Sequence, residues 1–593
     1  MKFGVDIGST YSTAARYDAE NDQPETLTLR EGGACCIPSA VFVSARGDRL
    51  FGEAALQKIG SVMSGKGAAV YERFKMLLLE KNENAVRQNG YMNHTPREIA
   101  AAYISYLLNT LYGRYGTAGE EIEKLVICVP EEWDKTLRQM DGRGVLRDIL
   151  TQDVVYSPTK KKLRPENLHI VTEPEAASAY FAHLYRKNTG TAFNGYLLLI
   201  DYGGGTLDIT LSNITPQEND DLRMEIKAVE HGGVGENHGN PDGTFQIGNA
   251  GIAYMQQVVK YALKDSGFDF TLPDPEFVRA VRQLESMLME PLDDEGCNKI
   301  EMTFFPYGDY SDFGGILTDS VYDDSEIGRF GDLIYNGDEI PVTYRQLYRA
   351  YHDIIEPVLK NELEKITEKV KMHIGRNPCT PQQGLQEDFK IALVGGFANF
   401  YLVQKQIHEF YSIDMEAEDG RLRNIDAAEM EKAIACGAAL IAEERVHLHK
   451  LAPLSVGLYA TGFDEKPTIH YGIRYHQPIE FGKPCFMLRD NAPVDTVDNR
   501  VTYFGTAGIT HLILQDDERL NCGQTVRLKE ALLDRIRALP TGFYRLGFSM
   551  DANGIYTLHA LGKDADPNSE GVKIPLDNIE RMADLQTSET VVC

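Results

Sequence analysis

The chain contains a near-repeat in which a short apolar run delivers an aspartate directly into a glycine turn. The first copy is Val5–Thr10 (VDIGST) and the second is Ile200–Asp208 (IDYGGGTLD). Apolar runs of this length, bounded by turn residues, are typical of buried strands in a central sheet. Two such copies predict two lobes of related fold, each of which contributes one hairpin to a shared cleft.

The residue types in these hairpins favour phosphate binding. Glycines let backbone N–H groups approach phosphate oxygens closely, and serine and threonine add hydroxyl donors. Asp6 and Asp201 cannot bind phosphate themselves, so they need a cation between their carboxylates and the phosphate, most simply hydrated magnesium. One hairpin alone would indicate an ordinary β-turn. The pair, with a third glycine turn after the strand-like run Lys390–Gly396 (KIALVGG), predicts a phosphate-binding cleft.

Strand-like runs alternate with helical patterns as far as about residue 445. The helical patterns cover Thr95–Tyr112, Tyr344–Lys371 and Ala427–Val446. The first of them opens with a threonine N-cap, a proline at the first helical position and Glu98 at the third, which is the signature of a helix start. This alternation indicates an α/β architecture.

The pattern changes after residue 452. Short β-branched and aromatic runs separated by Gly, Pro, Asn and Asp indicate a β-rich unit, interrupted by one helical stretch at Lys529–Leu539. We therefore predict an α/β unit over 1–445, a linker over 446–452 and a β-rich unit over 453–565. The last residues, 566–593, are polar and weakly patterned, and they predict a flexible tail.

Charge and cysteine usage exclude several classes of protein. Lys and Arg number 60 against 88 Asp and Glu, so the formal net charge is −28 at pH 7. Such a surface argues against nucleic acid or anionic membranes as partners, because both need clustered positive charge. The nine cysteines are scattered without a Cys-x-x-Cys pair, and Asp6 interrupts the only N-terminal apolar run. These features predict a cytoplasmic protein without disulfides, signal peptide or membrane span.

Four segments resemble the nucleotide-binding motifs of the seventy-kilodalton heat-shock chaperones of the DnaK type. They are Asp6–Tyr11 (DIGSTY), Asp201–Asp208 (DYGGGTLD), Val394–Gly396 (VGG) and Glu173–Ala177 (EPEAA). Farther on, Leu451–Gly457 and Phe548–Leu558 resemble parts of the family's substrate-binding β-domain. The resemblance implies a two-lobed actin-like (ribonuclease H-like) ATPase followed by a small β-sandwich-like substrate-binding domain.

The resemblance also implies roles for individual residues. Asp6 and Asp201 match the carboxylates that hold Mg²⁺ through water, and Tyr11 and Asp208 match a region that coordinates monovalent cations, with K⁺ as the candidate. Lys75, Glu173, Asp201 and Thr206 form the implied catalytic set. In it Lys75 contacts the γ-phosphate and Glu173 orients or activates the attacking water; without the resemblance, Lys75 would be read as a solvated helix residue. The implied nucleotide contacts are Gly8, Ser9, Thr10, Tyr11, Gly203, Gly204, Gly205, Thr206, Gly395, Gly396 and Arg282, the last by stacking on adenine.

Several segments depart from the family pattern. Phe397 stands where the family has a serine after the adenosine glycines, and Gly232–Gly251 lacks the usual threonine-centred loop. Residues 290–340 are acidic where the family has an exchange-factor-binding subdomain, which indicates a solvated insertion or a changed partner surface. In the linker, Val446–Lys450 alternates with His and Lys, so we expect weakened docking as a strand. After Leu561 about thirty residues remain, too few for the family's helical lid.

These features predict an ATP-dependent, lidless chaperone-like protein that hydrolyses ATP slowly with Mg²⁺ and couples nucleotide state to binding of unfolded or extended peptide. A J-domain co-chaperone and a nucleotide-exchange factor are the expected partners. Two alternatives stay open. One is a nucleotide-dependent interaction or regulatory scaffold without refolding activity. The other, less favoured, is a small-molecule kinase of the same superfamily.

Overall fold

The computed structural model describes most of the chain. It covers residues 1–593 except 31–33, 60–67, 118, 135–141, 218–219, 236, 240–244, 273, 290–328, 380–388, 414–421, 425–426, 453–454, 462–466, 475–476, 490–494, 505–510, 516–523, 529, 552–554, 567–568, 578–582 and 591–593. Most of the acidic stretch, 290–328, therefore lies outside the described residues.

The N-terminal part of the chain builds a mixed sheet and the helices around it. Its strands are β1 (Lys2–Ile7), β2 (Tyr11–Asp18), β3 (Gln23–Thr26), β4 (Cys36–Pro38), β5 (Ala40–Val43), β6 (Arg49–Phe51), β7 (Ala69–Glu72), β8 (Lys124–Val129) and β9 (Leu168–Thr172). Its helices are α1 (Glu53–Leu56), α2 (Phe74–Leu77), α3 (Glu83–Gln88), α4 (Pro96–Tyr115), α5 (Gly142–Asp148) and α6 (Glu173–Thr189).

The first sheet has the order β3-β2-β1-β8-β9, with β4 also paired to β2. Strand β1 runs parallel to β8, and β8 runs parallel to β9. The carboxyl ends of these three strands therefore meet at one edge, where ligands bind in open α/β sheets. This sheet, the small sheet β6-β5-β7 and α4 share one buried core, and we call this part of the molecule the first unit.

A second set of elements follows in the chain. Its strands are β10 (Gly195–Tyr202), β11 (Leu207–Gln217), β12 (Asp220–Val234), β13 (His238–Gly239), β14 (Phe245–Gln246), β15 (Arg329–Tyr335), β16 (Asp338–Thr343), β17 (Phe389–Val394) and β18 (Leu422–Asn424). Its helices are α7 (Gly251–Asp265), α8 (Pro275–Met289), α9 (Tyr344–Ala350), α10 (Glu356–Ile374), α11 (Tyr401–Tyr411) and α12 (Ala427–Ala442), and a π-helical turn over Tyr351–Ile355 joins α9 to α10.

In the second sheet, β10 is parallel to β17 and antiparallel to β11. The hairpin between β10 and β11 carries the second glycine turn, and the carboxyl end of β17 carries Gly395 and Gly396. These strands and the helices around them share a second buried core, and we call this part the second unit. Each unit therefore presents a hairpin and the carboxyl ends of parallel strands, as the near-repeat predicts.

Helix starts follow the predicted capping chemistry. At the start of α4, the Thr95 side chain accepts from the Glu98 backbone N–H, and the Glu98 side chain accepts from the Thr95 backbone N–H. The same reciprocal box, between Thr172 and Glu175, opens α6. Because α6 begins at Glu173, this cap holds the candidate catalytic carboxylate at the end of β9.

The remaining elements form a C-terminal β unit. The strands of this part of the chain are β19 (Val446–Leu451), β20 (Ser455–Thr461), β21 (Pro467–Ile473), β22 (Pro478–Ile479), β23 (Cys485–Phe486), β24 (Thr502–Phe504), β25 (His511–Gln515), β26 (Gln524–Leu528), β27 (Phe543–Met550), β28 (Tyr556–Gly562), β29 (Val572–Asp577) and β30 (Ala583–Thr590), and its helix is α13 (Glu530–Arg537). Of these strands, β19 and β22 extend the second sheet, and the others build the β unit. One sheet has the order β21-β20-β25-β26-β30, and the other contains β23-β27-β28-β29 with β24 on β27. Both sheets contribute to one buried core, which makes the unit a β-sandwich.

The expectation of a flexible tail over 566–593 is wrong for most of that segment. Strand β29 pairs antiparallel with β28, and β30 pairs antiparallel with β26. In β29, Ile574 and Leu576 alternate with exposed neighbours and enter the sandwich core. The polar sequence of β30 concealed its pairing, because backbone hydrogen bonds do not depend on side-chain type.

The segment expected from its sequence to dock weakly as a strand is paired on both sides. Strand β19 pairs parallel with β12 and antiparallel with β22, so it lies within the seven-stranded second sheet. Val446 is buried and Leu448 packs against the second core, whereas His449 Nε2 lies 3.4 Å from Glu225 Oε2. The alternation with histidine therefore gives the strand one apolar and one polar face, because successive side chains of a strand point to opposite faces of the sheet.

His559 on β28 links the stability of the β-sandwich to pH. Its Nδ1–H donates to the Glu570 carbonyl oxygen at 3.0 Å, so Nε2 accepts from the Ser549 hydroxyl at 2.7 Å. Burial lowers the pKa of His559 below its ordinary value of 6.5, although the Glu570 carbonyl opposes the shift. The folded state therefore holds neutral His559, and the unfolded chain binds the extra proton as the pH falls through 6.5.

We expect the sandwich to lose stability between about pH 7 and pH 5, the interval in which the unfolded chain gains that proton. As the pH falls through this interval, hydrogen exchange of the β27 and β28 amides, corrected for intrinsic rates, should accelerate in the wild type. It should accelerate less in His559→Gln. An equal acceleration in both proteins would contradict the assignment.

Candidate functional site

A cavity of about 420 Å³ lies between the carboxyl-end edges of the two sheets. This volume is within the range of about 300–1,000 Å³ that is usual for small-molecule sites. The wall contains most of the residues that the motifs predict: Asp6, Gly8, Ser9, Thr10, Tyr11, Lys75, Glu173, Asp201, Gly203, Gly204, Gly205, Thr206, Gly395 and Gly396. The fold thus brings together segments from both ends of the α/β part of the chain.

The two glycine hairpins approach each other across the cavity. A Cβ on Gly204 would lie 2.9 Å from Thr10 Oγ1, and one on Gly205 would lie 3.0 Å from Ser9 Oγ. A side chain at Gly204 would therefore displace the Thr10 hydroxyl, and one at Gly205 would displace Met76 Sδ, 2.6 Å away, and crowd the Ser9 hydroxyl. The result is a cradle of bare backbone and hydroxyl groups, which suits phosphate oxygens.

Asp6 and Asp201 are positioned to face a cation. Within the described residues, Asp6 Oδ1 and Asp201 Oδ2 are buried without a hydrogen-bond partner. Burial raises the pKa of Asp6 to about 7, against the pull of Lys75. Burial, followed by the charges of Glu173, Asp208 and Asp6, raises the pKa of Asp201 well above its ordinary value. Such carboxylates are stabilised in the charged form by a cation between them.

The donor set fits hydrated magnesium. Among the residues that the structure covers, no group of three or more His, Cys, Asp or Glu side chains is arranged to hold a metal ion. Magnesium in phosphate sites usually keeps several waters and uses one or two carboxylates. Asp6 and Asp201 meet that requirement at the ends of β1 and β10.

Asp208 lies behind the cavity wall. It is fully buried on β11 and is the direct cross-strand neighbour of Asp201. Its charge raises the pKa of Asp201, so it acts on the site through its neighbour. The monovalent-cation role implied for Asp208 and Tyr11 stays a prediction.

Lys75 and Glu173 form a buried ion pair in the wall. Lys75 Nζ donates to Glu173 Oε1, and only 6% and 10% of the two side chains are exposed. Burial lowers the pKa of Lys75, but Glu173 and Asp6 outweigh it, so the pKa is raised and the ammonium stays charged. The alternative of a solvated helix residue is therefore wrong.

The backbone before Lys75 is strained. Arg73, the residue that precedes α2, has φ 58°, in the left-handed region that non-glycine residues rarely adopt. This turn directs the four-residue helix α2, and with it Lys75, into the cavity. Strained residues of this kind concentrate at functional sites.

The structure places Arg282 differently from the sequence prediction. Arg282 is absent from the cavity wall, and its guanidinium is bound to Glu285 on the same helix and to Glu72 at the end of β7. The i,i+3 spacing on α8 and the approach of β7 from the first unit hold it between two carboxylates. Stacking of Arg282 on a base is therefore not part of this geometry, and Glu285 lines the cavity in its place.

Most of the residues at the apolar end of the cavity are not predicted by the sequence motifs. Tyr254, Met255, Leu288 and Phe400 line it together with Phe397. The Phe397 ring packs 5.2 Å from Tyr202, edge to face, and 5.3 Å from Phe400, stacked. In the sequence, the feature that points to this apolar end is Phe397, directly after Gly395 and Gly396. Flat rings of this kind suit a nucleobase or another planar group.

Fold and site together define a two-unit α/β protein whose cleft combines two glycine hairpins, a pair of buried carboxylates and a buried lysine. No protein-family model matches the chain. It is 23% identical to a ribosome-associated molecular chaperone of Zygosaccharomyces rouxii, over 98% of this chain and 84% of that protein. It is 23% identical to the chaperone protein DnaK of Ureaplasma urealyticum, over 94% and 76% respectively. It is also 24% identical to a ribosome-associated molecular chaperone of Saccharomyces cerevisiae, over 95% and 80%.

The chain is thus similar, along nearly its whole length, to chaperones of the seventy-kilodalton heat-shock family, which is the resemblance that its motifs carry. In the part of the chain that the structure describes, none of the helices has the length and apolar character needed to span a membrane.

Proposed function

We propose that the protein is an ATP-dependent molecular chaperone that couples ATP hydrolysis to the binding of unfolded or extended peptide. The observation that carries the proposal is the convergence of both glycine hairpins, Asp6, Asp201 and the Lys75–Glu173 pair on one cavity. The relatives named as chaperones match both the cavity-bearing region and the β-sandwich, since the alignments cover at least 94% of the chain.

The proposed roles follow from the positions of the side chains. The hairpin amides and the hydroxyls of Ser9, Thr10 and Thr206 bind the phosphates. Bound magnesium would supply positive charge to the phosphate oxygens. Lys75 adds a charged donor to the transferred group, and the Glu173 carboxylate, held at the start of α6, orients the attacking water and accepts its proton.

The two units act as the lobes of an actin-like ATPase over 1–445, and the β-sandwich takes the peptide. An extended peptide can add to an exposed sheet edge of the sandwich by main-chain hydrogen bonds. Residues 446–452 connect the two functions, because β19 pairs with β12 of the ATPase and with β22 beyond the linker. A J-domain co-chaperone and a nucleotide-exchange factor are proposed partners.

Phosphate release from ATP, measured with Mg²⁺ and with or without an unfolded peptide, tests this function. We expect slow release that the peptide accelerates. Tight ATP binding without release, with or without peptide, would contradict the chaperone proposal and favour a nucleotide-dependent scaffold. Phosphate transfer to a small molecule in preference to water would contradict both and indicate a kinase.

A further inference from the structure

The side chain of Asn237 crosses from the second unit to the helix that carries Lys75. Its Nδ2 donates to the Met76 carbonyl oxygen at 2.9 Å and lies 3.4 Å from Glu80 Oε2. Met76 directly follows Lys75 in α2. Because α2 has only four residues, it makes few internal backbone hydrogen bonds, and its position depends on contacts from outside the helix.

The other end of the Asn237 amide binds the loop that supports the second phosphate hairpin. Asn237 Oδ1 accepts from the Gly248 N–H at 3.1 Å. Gly248 has φ 62°, and a Cβ at this position would lie 2.0 Å from the Gly205 carbonyl oxygen. The loop therefore lies directly against Gly205, and Ile252 N donates to the Gly204 carbonyl oxygen at 2.7 Å to hold the start of α7 on the same hairpin.

The same loop is anchored in the first unit by an apolar contact. Ile247, next to Gly248, has no exposed surface and packs in the first core with Met76 and Leu77 of α2. One amide and one buried side chain thus connect the phosphate hairpin of the second unit to the turn that presents Lys75.

We propose that Asn237 is a positioning residue that places Lys75 for phosphoryl transfer when the two units are closed. The proposal rests on the proposed function in one respect, the role of Lys75 in hydrolysis. With the bridge in place, two hydrogen bonds tie α2, which carries Lys75, to the loop that lies against the phosphate hairpin. Without it, a displacement of about 1 Å at a reacting group is enough to lower a rate about 10²-fold.

Asn237→Asp is the most selective variant. Aspartate has almost the same shape and keeps an oxygen that accepts from Gly248 N–H. It replaces the donor to Met76 with a second oxygen, which also faces the Glu80 carboxylate. Asn167→Asp is the matched control: Asn167 is half-buried, and its Nδ2 donates to the Ile122 carbonyl oxygen at 2.8 Å within the first unit.

We expect Asn237→Asp to hydrolyse ATP about 10- to 100-fold more slowly in a single turnover. The dissociation constant for ADP with Mg²⁺ should change less than about threefold, because the phosphate cradle and the apolar wall are intact. Asn167→Asp should match the wild type in both measurements. Hydrolysis by Asn237→Asp at the wild-type rate, or an equal loss in both variants, would overturn the proposal.

Chemical labelling of Lys75 gives a readout that does not require hydrolysis. Amine acylation followed by mass spectrometry should modify Lys75 several-fold faster in Asn237→Asp than in the wild type, and no faster in Asn167→Asp. An unchanged labelling rate would overturn the positioning role. If the wild type fails to hydrolyse ATP, the proposed function fails, and the labelling experiment alone then decides the role of Asn237.

Discussion

Replacing Lys75 by alanine is expected to lower the rate of ATP hydrolysis about 10²- to 10³-fold, the usual cost of losing a preorganised charged donor. The side chain is buried in the cavity wall. Its ammonium is paired with the Glu173 carboxylate, and the negative charge of Asp6 also stabilises it. Among the described residues no other lysine lines the cavity, so no neighbouring amine there can replace it. Single-turnover phosphate release with saturating ATP and Mg²⁺ measures the effect on the chemical step.

Lys124→Ala is the control for this experiment. Lys124 is also largely buried, and it pairs with Glu444 at 3.1 Å, but it lies outside the cavity wall. We expect it to hydrolyse ATP at the wild-type rate. The double variant Lys75→Ala, Glu173→Gln removes the uncompensated carboxylate, so its thermal unfolding, compared with that of Lys75→Ala, measures the stability lost by leaving Glu173 unpaired. Hydrolysis that survives in Lys75→Ala would show that the catalytic assignment is wrong.

Replacing Gly395 by alanine is expected to weaken nucleotide binding at least about 30-fold, which corresponds to about 2 kcal/mol. Gly395 has φ 88° and ψ 143°, a combination that is essentially restricted to glycine. A Cβ would lie 2.5 Å from Asp201 Oδ1 and 2.6 Å from the Tyr202 carbonyl oxygen. The substitution therefore strains the turn and displaces the Asp201 carboxylate, which lines the cavity. Calorimetric titration with ADP and Mg²⁺ measures the loss.

Gly375→Ala is the control that separates the effect of backbone strain from the effect of contact with Asp201. Gly375 ends α10 with φ 68°, but no atom lies within 4 Å of a Cβ built there. We expect a modest loss of thermal stability and wild-type affinity for ADP. Equal affinities for Gly395→Ala and Gly375→Ala would show that contact with Asp201 does not govern binding.

Local chemistry made much of the site predictable. An aspartate at the end of an apolar strand, followed by glycines, has few physical uses, and Asp6 and Asp201 both line the cavity. The helix that begins at Pro96 was predictable for the same reason, because a capping box and a proline act within a single helical turn. Local patterns of this kind can be interpreted without knowledge of the rest of the fold.

The predictions that the structure does not bear out involve residues whose partners are distant in sequence. Arg282 is bound to Glu72, 210 residues away, and no local pattern reveals that pair. Strand β30 pairs with β26 through its backbone, and the histidines of β19, which the pattern predicts to weaken its docking, form its polar face. In each case the deciding contact depends on which strand or helix lies opposite.

The sequence by itself determined the two hairpins, their carboxylates, the glycine pair after β17 and the order of α/β and β-rich units, because turn and strand chemistry is local. Only the tertiary structure decided that Lys75 is buried on Glu173, that Glu285 rather than Arg282 lines the cavity, and that Asn237 joins the two units beside Lys75. The physical reason is that burial and ion pairing depend on what folding brings within a few ångströms, and sequence spacing does not contain that distance.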